Sequence, residues 1–211
     1  MIEQPNKVII IGYSGHAYVV LDCAQKNGIE IAGYCEPAPR PTNPFGLAYL
    51  GNEDSKLAQE KLTIADYFVA IGDNKTRRKA TERLLEIAQK KPVSLIHPSA
   101  TIGVLVEIGA GALVAAGAKI NAVVQLGDGV ICNTGSIVEH ECRLGNFVHL
   151  APGAVLCGNV WVGEGSFIGA NAVVKQGVKI GTNVVVGAGT VVLKDIPDNV
   201  TVVGNPAQIK A

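Results

Sequence analysis

Glu139-His140-Glu141 sets an imidazole between two carboxylates, a grouping suited to general-base chemistry near neutral pH. Nearby segments carry Gly, Ala or Asn where these three ionisable residues stand. A turn has no structural use for three ionisable groups in a row, so chemistry is the first reading and a solvated, charged corner the second. Gly158, Gln176 and Lys194 follow His140 at equal intervals, and His149 lies nine residues on. A second cluster sits near the start, Gly12-Tyr13-Ser14-Gly15-His16. A glycine turn at a helix N-terminus offers backbone N–H groups to a phosphate.

A period of six positions the first cluster. From Ile96 through Ile102, Ile108, Val114, Ile120, Leu126, Cys132 and Val138 to Val192, an aliphatic residue falls on every sixth position, and Cys132 is the exception among seventeen. Four residues after each stands something small or β-branched, such as Ala100, Ala112, Ala118 or Thr190. Self-similarity at this period predicts a parallel β-helix. Three hexads close a triangular coil, so like positions stack about 4.8 Å apart. Seventeen hexads give between five and six coils. An all-β sandwich of short strands is the alternative, and the unbroken register argues against it.

The register places His140 third in its hexad, outside the inward columns. Gly158, one coil further, is expected to leave a notch beside the imidazole, with its N–H toward a developing oxyanion. Lys194 is three coils away, roughly 14 Å, a span comparable to a pantetheine arm. A column of small residues, Pro152, Ala170, Ala188 and Pro206, would wall a groove along the axis. His149 is half a coil from His140 and so on another side of the prism. The two histidines could meet only across a contact between subunits, which points to a cyclic trimer.

An α/β pattern precedes the hexads. Lys7–Ile11 and Ile29–Tyr34 read as buried strands, and Tyr67–Ile71 as a third. A helix is expected after Gly15, through Asn27. A charged amphipathic helix is expected over about Lys75 to Lys90, with Leu84, Leu85 and Ile87 inward. Alternating strand and helix implies a small parallel sheet. The expected organisation is residues 1–92 as a Rossmann-like α/β domain, 93–199 as the β-helix, and 200–211 as a C-terminal tail. The glycine turn is G-x-x-G-H rather than G-x-G-x-x-G, and Glu36 alone would serve as a ribose acid. One nucleotide diphosphate therefore fits better than a dinucleotide, with an unliganded turn as the alternative. His16 could donate to a phosphate or sugar oxygen, or simply start a helix.

Composition bounds the rest. The 211 residues carry 18 basic and 18 acidic side chains, and that neutral balance argues against nucleic acid or an anionic membrane as partner. No apolar run approaches membrane-span length, and Met1 to Lys7 lacks the order of a signal peptide. Five cysteines without C-x-x-C spacing read as reduced thiols, hence a cytoplasmic protein.

Four segments together carry a family resemblance: Gly12-Tyr-Ser-Gly-His16, Ala70-Ile-Gly-Asp-Asn74, Ile96-His-Pro-Ser-Ala100 and Asn133-Thr-Gly-Ser-Ile-Val-Glu-His-Glu-Cys142. The sequence resembles the bacterial sugar-nucleotide N-acetyltransferases of the PglD and GDP-perosamine type, and Val203-Gly-Asn-Pro-Ala207 is similar to their coenzyme-side ending. The resemblance implies a left-handed β-helix and acetyl-CoA-dependent transfer to the 4-amino group of a UDP- or GDP-linked 4-amino-4,6-dideoxy sugar. It implies no metal, and a homotrimer with sites between subunits. It makes His140 the catalytic base and Glu141 the residue that raises its basicity. It assigns His149, Ala170 and Ala188 to acetyl-CoA, to which the register adds Gly158 and Lys194. Ser14, Gly15, His16 and Gly72 match sugar-nucleotide positions. Relatives often carry two acids after the second strand where this chain has Glu36-Pro37, which leaves the choice of base open. Three rival readings remain: O-acetylation of a sialic acid or related sugar, a zinc-dependent prism enzyme, and a non-catalytic sugar-nucleotide-binding scaffold.

Overall fold

The computed structural model describes residue 5 and residues 7–210. Most of Met1 to Lys7, the segment read for a leader, lies outside the described residues. The chain divides into two compact units, Met1–Leu95 and Ile96–Ala211.

In the first unit three parallel strands pair in the order β2-β1-β3: β1 (Lys7–Ile11) at the centre, β2 (Glu30–Cys35) and β3 (Asp66–Val69) at its sides. The central strand is buried from Val8 to Ile11, as a continuous β-branched run in a covered parallel sheet should be. Helices α1 (Gly15–Lys26), α2 (Lys56–Ile64) and α3 (Asn74–Ala88) accompany it. The charged spacing of α3 was legible, but of its three expected inward residues only Leu84 is fully buried, and Leu85 is exposed. The buried stripe runs Asn74, Arg77, Thr81, Leu84, an i, i+3, i+4 pattern shifted onto polar residues.

In the second unit, two-residue strands recur at every sixth residue from β4 (Leu95–Ile96) to β20 (Val191–Val192). Each pairs in parallel with the strand one coil away: Ile131 with both Leu113 and His149, Ile137 with both Lys119 and Val155, Arg143 with both Gln125 and Trp161. Three sheets result, and the hexad residue that repeats as Val114, Ile120, Leu126, Cys132 and Val138 forms one continuous interior. The parallel β-helix is as expected. Its first coil is less covered, with Ile102 37% exposed.

The winding changes at the last coil. Val192 still pairs with Val174 at the full interval, but Ile196 bridges Ile180 and Thr201 pairs with Val185, each two residues early. The coil is shortened between Val192 and Ile196. Residues 201–209 then return to the sheet: β21 (Thr201–Val203) pairs in parallel with β19 (Val185–Val186), and β22 (Gln208–Ile209) pairs antiparallel with β21.

Candidate active site

Along one edge of the prism the turns form a hydrogen-bonded ladder. The N–H of Val123 donates to Val104 O (3.0 Å), Glu141 to Ala122 O (3.1 Å), Asn159 to His140 O (2.8 Å) and Gly177 to Gly158 O (3.0 Å). Residues 104, 122, 140, 158 and 176 therefore share one column, as the register required. Lys194 lies within the stretch where the coil is shortened. There Ile196 donates to Lys179 O and the Lys179 N–H to Asp195 Oδ1, so the ladder stops at residue 177.

His140 projects from this edge with its side chain half-exposed, and its Nδ1 is 3.0 Å from Glu141 Oε2. An ionised carboxylate only accepts, so the hydrogen sits on Nδ1 and Nε2, which lies over Gly158, keeps its lone pair. Glu141 reaches this position from a left-handed backbone, φ 62°. Glu139 turns away and accepts from Asn121 Nδ2 at 2.8 Å. Only one of the two flanking carboxylates therefore works on the imidazole.

Gly158 is where counting placed it, but it does not leave an open notch. The imidazole fills that space: a Cβ on Gly158 would lie 2.6 Å from His140 Cε1 and 2.7 Å from Nε2. The glycine is a floor for the ring. The backbone ladder draws on the N–H groups of Glu139, Glu141 and Arg143, the residues on either side of and beyond the third hexad position, which Gly158 occupies in its own coil. Cys142 is core, its thiol donating to Cys157 O, and burial pushes its pKa up to about 11.

His149 lies on a different sheet, in β13 (His149–Leu150). It is buried edge-on against Phe167 at 5.1 Å, with Asn133 Nδ2 3.4 Å from its Nε2. Within one chain it does not approach His140. Ala170 belongs to a second edge, where Asn171 donates to Pro152 O and Gly189 to Ala170 O, so Pro152, Ala170 and Ala188 do form a column.

In the first unit, β1 runs into Gly12 at φ 89°, where a Cβ would meet Ile71 Cγ1 at 2.7 Å, so only glycine fits both the backbone and the space. Ser14 stands at the N-cap of α1 with extended backbone, yet its side chain makes no capping hydrogen bond. Ser55 and Asp73 do cap α2 and α3, accepting from Ala58 N at 3.1 Å and Thr76 N at 2.8 Å. The first turn of α1 thus lacks a side-chain cap, and its Ala17 N–H donates to Ser14 O at 2.8 Å. His16 packs beside Gly72, within 3.6 Å of where a Cβ there would sit. Desolvation, with Arg77 second, lowers the His16 pKa to about 4.

Glu36 is already engaged: its Oε1 accepts from Tyr13 N at 2.7 Å and Arg40 Nε at 3.0 Å, tying β2 to the glycine turn. A pocket of about 370 Å³ opens here, lined by Gly12, Glu36, Pro37, Thr76 and Lys79 among others. It lies at the carboxyl ends of the strands, where open parallel sheets hold ligands. Sequence reasoning missed Arg77, 1% exposed, whose guanidinium donates to Gly72 O (2.9 Å), Ile71 O (3.2 Å) and Asn74 Oδ1 (3.0 Å). Its signal was a charged residue inside the helical stripe of α3.

Comparison with known proteins bears on both units. Residues 7–84 match the PglD N-terminal domain, and residues 159–194 the bacterial transferase hexapeptide (six repeats). A search of curated proteins found no match. Among solved structures, the chain is 41% identical to PerB from Caulobacter crescentus, in complex with CoA and GDP-perosamine, over 97% of both chains with TM-score 0.88. The chain belongs to the PglD-type sugar N-acetyltransferases. Within that family it is also 37% identical to the acetyltransferase domain of PglB from Neisseria gonorrhoeae FA1090, in complex with acetyl coenzyme A. That match covers 98% of this chain and 100% of the other, with TM-score 0.88. WeeI from Acinetobacter baumannii AYE matches at 27% identity over 96% and 99%, with TM-score 0.84. As a member of this family the protein is an acyltransferase.

Proposed function

We propose that this PglD-type transferase moves an acetyl group from acetyl-CoA to the 4-amino group of a UDP- or GDP-linked 4-amino-4,6-dideoxy sugar. One observation carries the reading: a half-exposed imidazole, oriented through Nδ1 by Glu141 at 3.0 Å and supported by Gly158, with Nε2 not held by Glu141. The bound CoA and GDP-perosamine of the Caulobacter relative support the choice of both substrates.

In this mechanism the neutral amine attacks the thioester carbon. Nε2 of His140 accepts the proton leaving nitrogen, directly or through a water, while Glu141 stabilises the imidazolium that forms. The Gly158 N–H meets the oxygen that becomes negative. The C–S bond then breaks and CoA leaves as thiolate, to which the proton can pass. Acetyl-CoA would lie among Gly158, Ala170, Ala188 and Lys194, with His149 supplied by a neighbouring copy in a homotrimer. Outward-facing Ile137, Val155, Val173 and Val191, half-buried along one sheet, give copies an apolar face to share and so support that assembly. In the first unit, Ser14, Gly15 and His16 at the uncapped start of α1 would take the diphosphate, with Gly72, Glu36 and Pro37 toward the rest of the nucleotide.

The test is His140→Ala assayed with acetyl-CoA and sugar nucleotides of this class. Loss of a general base lowers kcat by about 10² to 10⁴, and because the side chain is half-exposed the melting temperature should not move. Activity within tenfold of wild type would remove His140 from the role. Acetyl transfer to a sialic acid hydroxyl in preference to any amino-sugar nucleotide would overturn the substrate assignment.

A further inference from the structure

The edge that carries His140 is built differently from the other two. At the fourth hexad position the backbone is left-handed on every edge. From residue 111 onward the other two edges fill it with Gly or Asn except at Phe147, as in Gly117, Gly129, Gly135, Gly153, Gly165, Asn171 and Asn183. On the His140 edge three successive coils place Leu105 (φ 57°), Val123 (φ 65°) and Glu141 (φ 62°) there. A β-branched residue at positive φ is a steric outlier, and strain of this kind gathers at ligand sites. Glu141 has its use in orienting His140. Leu105 and Val123 carry strain and, in addition, expose apolar surface: Leu105 is 78% exposed, Val123 47%, and the neighbouring Val104 73%. Neither packing nor backbone preference accounts for them.

The ladder of turn hydrogen bonds places Val123 one coil below Glu141 and Leu105 one coil below Val123. On the opposite side of His140 the same edge continues as Gly158-Asn159 and Gln176-Gly177, beside exposed Lys175. That side is flat, polar and cationic, and suits a phosphate-bearing acyl donor. The apolar side suits the acceptor.

We propose that Val123 and Leu105, with Val104, form a shelf for the deoxygenated C5–C6 edge of the acceptor sugar while its amine meets His140. The shelf makes the enzyme select a 6-methyl over a 6-hydroxymethyl group, and it rests on the sugar-nucleotide reading above. An open apolar surface of this kind discriminates by about tenfold, below what a closed apolar pocket achieves against an added hydroxyl.

Val123→Asn tests it, because asparagine adopts the left-handed turn more readily than valine and keeps the fold. Wild type and variant are compared on a nucleotide-linked 4-amino-4,6-dideoxyhexose and on its 6-hydroxyl counterpart. The kcat/KM preference for the deoxy sugar is expected to fall about tenfold in the variant, through KM for the sugar nucleotide. KM for acetyl-CoA, oligomer mass and melting temperature should hold or, for the last, rise. An unchanged preference in an active enzyme overturns the shelf alone. A changed mass also overturns it, since the apolar edge would then be a contact between copies. If the wild type acetylates neither sugar, the sugar-nucleotide reading fails and takes the shelf with it.

Discussion

His140 stands at a hexad position that the core does not need, so the proposed chemistry would cost the fold nothing. Its ring is held by two neighbours of opposite character, a carboxylate at 3.0 Å and a glycine face against which no Cβ fits. Gly158→Ala would press a methyl to 2.6 Å from Cε1 and turn the ring away. Misplacing a catalytic group by about 1 Å can cost roughly a hundredfold in rate. We therefore expect kcat to fall by about that factor with thermal unfolding nearly unchanged; a kcat within threefold of wild type would show the ring has room to adjust. His140 stands out in the sequence because a strict repeat makes departures conspicuous. The spacing did not disclose that the imidazole occupies the space over Gly158, because counting gives the coil and not the rotamer. Nor did it separate Glu139 from Glu141: which carboxylate turns inward depends on the left-handed backbone at residue 141.

At the scale of elements, the first unit shows where periodicity falls short. The strands of the small sheet were legible from their β-branched runs, each within a residue or two of the observed ends. Helix α2 was not anticipated, and the inward stripe of α3 was misread because Arg77 and Thr81 occupy it in place of apolar residues. Arg77 holds the carbonyls of Ile71 and Gly72, and so fixes the turn after β3 against which His16 packs. Arg77→Leu removes these guanidinium hydrogen bonds and should destabilise the unit by about 1–3 kcal/mol, read as a lower denaturant midpoint. It should also raise KM for the sugar nucleotide. Burial of His16 has a separate signature. Its folded pKa of about 4 lies below the unfolded value of about 6.5, so the unfolded chain binds the extra proton between those limits. Stability should then fall as pH drops from 6.5 toward 4, by up to about 1.4 kcal/mol per pH unit from this group. His16→Gln should flatten that limb in urea titrations at pH 5 and pH 7; equal slopes in both proteins would place the acid sensitivity elsewhere.

For the whole molecule, the hexad spacing alone predicts the stacked coils, the sheet each strand joins and the edge shared by residues 140 and 158. That success has a physical basis: with like residues stacked one coil apart, each aliphatic residue that enters the core predicts the one a coil further on. The register itself failed at the last coil, where two registers were both compatible with the pattern. Ile196 serves equally as a fifth-position filler or as the first residue of a coil two residues short, and the pairing with Ile180 chooses the second. A prism of stacked parallel strands is also an open template at its ends, since the last rung presents unpaired N–H and C=O groups to any similar chain. The reversed strand β22 lies across that rung through Val202 and Ile209. Truncation after Gly204 should bare it and produce concentration-dependent association in light scattering, with monodisperse behaviour at high concentration as the contrary result. The antiparallel turnaround thus works as a stopper: it lets a fold whose every coil invites another remain a particle of finite length instead of seeding a fibre.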